Sequence, residues 1–158
     1  MRGDQGPVVI GYDGSPASEC ALRAAAVLAP DRAVVVVVWE PALPFEIIGA
    51  PSMPPAPIDI RTALEVDEKL YDAAQRLAER GAAMAREAGF SAEGLAVADD
   101  VTAAATLVRE ATERDAPALV IGSRGHTPMA EALMGSTARE VVRRAPCPVL
   151  VRGPAAGS

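Results

Sequence analysis

The sequence predicts a three-layer α/β fold: a doubly wound, parallel, five-stranded sheet with helices on both faces. Three observations lead there. Short apolar runs alternate with amphipathic helical patterns from end to end, which demands parallel strands joined by right-handed crossovers. The second run, Ala33 to Trp39, is continuous and rich in β-branched residues, as a parallel strand covered on both faces reads. The 158 residues show no internal repeat and suit one domain, residues 1–158, able to bury roughly 70% of its unfolded surface.

Val8 to Tyr12 forms the first strand in this reading. Asp13-Gly14-Ser15-Pro16 is the turn after it, with Ser15 as N-cap and Pro16 at N1 of a helix reaching about Leu28. The helix buries Ala21, Leu22, Ala25, Leu28 and Ala29, and Pro30-Asp31 stops it. After Trp39, residues 40–61 contain Pro41, Pro44, Pro51, Pro54, Pro55 and Pro57, so neither a helix nor a central strand fits. A surface excursion is expected there, with a lid or a partner contact as the functional alternatives.

Thr62 to Ala88 follows as a long helix with Leu64, Tyr71, Ala74, Leu77, Ala78, Met84 and Ala85 inward and Gly89 as its C′ residue. Ala92 to Ala98 is a weaker strand. Ala104, Leu107, Val108 and Ala111 mark a helix beginning near Asp100 or Thr102, and Ala118 to Ile121 is the fourth strand. Ser136 to Arg144 is helical, with Ala138, Val141, Val142 and Ala145 as its stripe, and Val149 to Arg152 is the last strand. Residues 153–158 read as a flexible tail.

Composition narrows the function. A net charge of −6, with Lys69 the single lysine, disfavours a nucleic-acid or anionic-membrane surface, because such binding depends on cations neutralising phosphates. No apolar run approaches the roughly 20 residues of a membrane span. Cys20 and Cys147 are too few for a disulfide framework and read as small buried hydrophobes. Without a signal-like N-terminus, a cytoplasmic location is expected.

Chemistry concentrates after the fourth strand. Gly122, Gly125, Gly135 and Ser136 give the spacing G-x2-G-x9-G-S between a strand and a helix. Glycines let backbone amides approach an anion, and a helix start adds unpaired N–H donors and the positive end of a dipole. With the strand order 3-2-1-4-5, Asp13 lies beside Gly122 at the switch point where such sheets bind ligands. Asp13 can accept from ribose hydroxyls or help hold a divalent cation, or it can be a turn residue. Arg124 can compensate phosphate charge or stay solvated. Ser136 and Thr137 can donate hydroxyls while capping the helix.

His126 reads as an exposed loop residue. No P-loop, dinucleotide fingerprint, G-x-S-x-G elbow or zinc-ligand set exists, which favours binding over catalysis.

Val8-Val9-Ile10-Gly11-Tyr12-Asp13-Gly14-Ser15, Gly122-Ser123-Arg124-Gly125 with Gly135-Ser136, and Ala145-Pro146-Cys147-Pro148-Val149-Leu150-Val151 together resemble the universal stress protein family, in its nucleotide-binding branch. The resemblance spans nearly the whole chain. It implies a Rossmann-like fold of the adenine nucleotide alpha hydrolase type, and ATP with Mg or Mn as ligand. In it, Val38 meets adenine through its backbone, Asp13 faces ribose, and Gly122, Gly125, Gly135, Ser136 and Thr137 surround the phosphates. Gly11, Arg124 and Ala138 complete the implied set. A homodimer through Val149, Leu150, Val151 and Arg152 is implied as well.

One departure stands out: where the family often reads Gly-Ser-Val-Ser or Gly-Ser-Val-Thr, this chain has Gly135-Ser136-Thr137-Ala138. A phosphate-facing hydroxyl is therefore missing at Ala138, worth about 1 kcal/mol. The implied function is a dimeric, ATP-dependent stress regulator acting through a protein partner, with at most slow ATP hydrolysis. The alternatives are a nucleotide-independent interaction module and a binder of AMP or a cyclic nucleotide.

Overall fold

The computed structural model describes residues 5–28, 31–42, 60–99, 101–125 and 134–155. Along the chain run β1 (Val8–Gly11), α1 (Pro16–Ala24) continued by a 3₁₀ turn (Ala25–Leu28), β2 (Arg32–Trp39), α2 (Ile60–Glu87) and β3 (Ser91–Ala98). Then come α3 (Ala103–Glu113), β4 (Leu119–Gly122), α4 (Ser136–Arg144) and β5 (Val149–Arg152). The strands form one sheet in the order β3-β2-β1-β4-β5, every pair parallel, as expected.

The lack of alternation in the second strand has a direct cause. Val35 and Val37 face a core that includes Ile10, Leu22 and Ala78 beneath α1 and α2. Val34 and Val36 face the opposite core, with Val9, Leu107, Leu119 and Val141 beneath α3 and α4. Both sides of β2 are dry, so both residue sets are apolar.

Local signals set the boundaries. Ser15 accepts from the Ser18 N–H at 3.2 Å with Pro16 at N1 of α1, and Thr102 accepts from the Ala105 N–H at 3.0 Å at the start of α3. Beyond α2, Gly89 takes φ +102° while the Phe90 N–H closes onto the Ala85 carbonyl at 3.1 Å.

Four expectations need correction. Leu64 and Tyr71 are 60% and 44% exposed, because the 28 residues of α2 extend about 42 Å whereas the eight residues of β2 extend only about 26 Å. The N-terminal part of α2 overhangs the sheet, and burial begins at Ala74. Leu28 and Val142 are also largely exposed, lying at the margins of their helices' covered stripes. Cys20 and Cys147 are half-buried rather than buried, and burial pushes the Cys147 thiol pKa upward. Finally, α2 begins at Ile60, inside the expected excursion.

Most of that excursion, along with Ala29, His126 and the end of the tail, lies outside the described residues. Among the described residues no helix is long and apolar enough to cross a membrane.

Candidate functional site

A cleft of about 410 Å³ opens at the carboxyl ends of β1, β2 and β4. It has two chemically different halves. Gly11, Val36, Val38, Ala103, Leu107 and Ile121 line the apolar half, and Asp13, Ser18, Ser123, Arg124, Gly125, Gly135, Ser136 and Thr137 line the polar half. Parallel pairing of β1 with β4 brings Asp13 and the Gly122 loop together across a long stretch of sequence.

The glycines do different work. A Cβ on Gly122 would lie 2.8 Å from Ala17 C and from Ser18 N, so α1 packs against the end of β4 at a distance only glycine permits. On Gly11 it would press Leu107 Cδ1 at 3.0 Å and Ile121 Cγ2 at 3.1 Å, filling the floor of the cleft. On Gly125 it would lie 2.8 Å from Asp13 Oδ2, which places the carboxylate directly against the loop backbone.

Asp13 serves the turn as well, since its Oδ1 accepts from the Ser15 N–H at 2.9 Å. The turn and site readings are therefore compatible. Ser18 supports the same corner: its Oγ receives the Asp13 N–H at 3.4 Å and donates to the Ser15 carbonyl at 3.0 Å. Ser15 Oγ reaches the Arg124 carbonyl at 3.5 Å, tying the two lips of the cleft together.

At α4 the expected roles of Gly135 and Ser136 change. Gly135, not Ser136, is the N-cap, and this residue makes no side-chain cap hydrogen bond. The Gly135 N–H already donates to the Ser123 carbonyl at 2.7 Å, so this amide braces the loop. Ser136 and Thr137, whose N–H groups an α-helix leaves without intrahelical acceptors, line the cleft. Both side chains are exposed.

Ala138 borders the cleft yet is 3% exposed and packs in the core beneath α4. A hydroxyl at this position would sit at the boundary between core and cleft. Arg124 is half-buried, with no ion-pair partner among the described residues. The described residues contain no cluster of three or more His, Cys, Asp or Glu side chains able to hold a metal by themselves.

Sequence reasoning missed Ser18, Ser123, Tyr12 and Leu107 as lining residues. Ser123 sits inside the glycine motif, and that position was a usable signal. Leu107 belongs to a helical stripe and looks like core. Tyr12 spans both environments: it is 6% exposed, and its hydroxyl donates to Met84 Sδ at 3.7 Å. Burial, and after it the charge of Glu19, raises the Tyr12 pKa above a phenol's ordinary 10.0.

Comparison with known proteins agrees with this geometry. A search of curated proteins finds no match. Among solved structures, hypothetical protein MJ0577 superimposes with a TM-score of 0.74 at 20% identity, covering 94% of this chain and 95% of that one, a likeness of fold. The universal stress protein from Archaeoglobus fulgidus is 27% identical with a TM-score of 0.59, over 93% of this chain and 98% of its own. The same protein in complex with dAMP gives 27% and 0.58, over 93% and 97%. The family model of the Universal stress protein family matches residues 6–152, and the chain belongs to that family.

Proposed function

We propose that this chain, as one domain, binds an adenine nucleotide, with ATP the preferred ligand, in the cleft between β1 and β4. The observation that carries the proposal is the start of α4, where Gly135 offers no side-chain cap and Ser136 and Thr137 line a cleft with an apolar pocket at its other end. A flat apolar base fits between Val38, Ala103 and Leu107, and the phosphates fit against Arg124, Gly125, Ser136 and Thr137. The 27% identical relative that binds dAMP supports adenine as the base.

The residues fit a nucleotide-borne Mg²⁺ or Mn²⁺. Such an ion keeps most of its shell as phosphate oxygens and water and needs one or two protein carboxylates, and Asp13 supplies one. Bound there, the cation would offset phosphate charge. Asp13 is held for that task by the Ser15 N–H.

The role we infer is binding and regulation, not turnover. The titratable side chains lining the described cleft are Tyr12, Asp13 and Arg124, and no nucleophile–base pair is among them. We also infer a homodimer through β5, an edge strand with Val149, Leu150 and Val151 half-buried and Arg152 exposed. Occupancy of the cleft would then alter contact with a protein partner.

Mass spectrometry of small molecules released from freshly purified protein, followed by calorimetric titration with ATP, AMP and cyclic AMP in Mg²⁺, tests the reading. ATP should bind below millimolar and more tightly than the others. Tighter AMP or cyclic AMP binding would reassign the ligand, and no binding below millimolar for any of them would leave a nucleotide-independent interaction module.

A further inference from the structure

The two edges of the sheet are finished differently. On β3 the backbone groups of alternate residues Ala92, Gly94 and Ala96 point away from β2, as those of an edge strand must. Three of these groups, the Ala92 and Gly94 carbonyls and the Ala96 N–H, are occupied by side chains of α2. Gln75 Nε2 donates to the Gly94 carbonyl at 3.1 Å while Gln75 Oε1 accepts from the Ala96 N–H at 3.1 Å, so one amide reproduces both bonds of a neighbouring strand. Arg86 Nε donates to the Ala92 carbonyl at 2.9 Å, and Glu79 holds the same guanidinium at 2.6 Å.

Gly94 makes this reach possible. A Cβ there would lie 2.5 Å from Ala78 C, so the α2 backbone rests directly on the strand. On β5, by contrast, no side chain among the described residues bonds to the backbone of Val149–Arg152.

We propose that Gln75 and Arg86 close the β3 edge against pairing with a second copy of this chain, confining strand-to-strand assembly to β5. The physical need is closure. Two-fold pairing at β5 uses one edge of each copy, and an equally open β3 would leave every dimer with two more edges, so assembly would propagate as an open chain.

Sedimentation velocity over a wide concentration range tests this on the intact chain. Gln75→Ala, alone and with Arg86→Ala, should add one mode of association: monomer to dimer if the unaltered protein is monomeric, dimer to open-ended species if it is dimeric. Gln75→Glu, which keeps the acceptor for the Ala96 N–H and adds charge at the edge, should sediment like the unaltered protein. The proposal thus stands or falls separately from the β5 dimer. Folded Gln75→Ala/Arg86→Ala protein of unchanged size would overturn it. Should that variant not fold, hydrogen exchange on the unaltered protein decides: an Ala96 amide as slow as those of β2 supports the closed edge, and one as fast as an open edge amide overturns it.

Discussion

Three helices begin at the cleft, and of these α1 and α3 have a capping side chain at their N-cap while α4 has none. At α1, Ser15 accepts from Ser18 and Asp13 accepts from Ser15, so the protein's own oxygens satisfy the corner. At α4, Gly135 supplies no side-chain acceptor and its amide turns back to Ser123, while Ser136 and Thr137, whose amides have no intrahelical acceptor, line the cleft. An anion gains most at a helix start that the protein has left without an acceptor. The difference between Ser15 and Gly135 as N-cap residues is thus a difference between a structural corner and a binding corner.

The comparison breaks most completely at Gly122, where both corners meet. Gly122→Val would drive a side chain into the Ala17 and Ser18 backbone. It should cost about 3 kcal/mol of stability, read by urea denaturation, and abolish nucleotide binding along with the α1 corner.

A sharper test converts the open corner into a closed one. Gly135 has φ −61° and ψ 158°, which any residue can adopt, and a Cβ there would lie 3.3 Å from the Ser123 carbonyl oxygen, a small adjustment. Gly135→Asp should cap α4 and raise stability by a few tenths of a kcal/mol while weakening ATP at least about tenfold, or about 1.4 kcal/mol. Thermal denaturation and titration calorimetry would read these opposite signs. Equal movement of both quantities would remove the distinction between the corners.

The reverse change, Ser15→Ala, should lower stability by about 1 kcal/mol while leaving ATP affinity within about twofold. Smallest of all is the alkaline response of the corner's neighbour. Because the folded-state pKa of Tyr12 is raised, its contribution is complete below pH 10.0, the unfolded phenol's value, and is lost as pH climbs through the higher folded value. Tyr12→Phe should flatten that alkaline fall in a pH series of denaturation curves.

Much of this was legible beforehand. The valine run announced a strand with two dry faces, and the Ser15-Pro16 signal located one helix start to within a residue, because caps act locally, while Asp100 and Thr102 left the start of α3 open between two positions, of which Thr102 is the cap. The glycine spacing located the loop but not the duty of each amide. Gly135 was expected to face phosphate, yet its N–H is committed to Ser123, a bond set by tertiary folding of the loop rather than by spacing. The stripe of α2 misled at Leu64 and Tyr71 because periodicity marks which side of a helix is apolar, not how far the neighbouring sheet extends. Gln75 carries no local signal in the sequence, since its partners Gly94 and Ala96 become its neighbours only in the folded sheet.

The helix faces that cover the sheet are built largely from alanine: Ala74, Ala78, Ala82 and Ala85 on α2, Ala21 on α1, Ala104 and Ala111 on α3. Such seams have no methylenes to lose, so shortening mutations find few targets there, while a single added methyl must lift a whole helix. Tolerance to sequence drift is therefore lopsided, and the molecule's weak direction is growth at its narrowest seams.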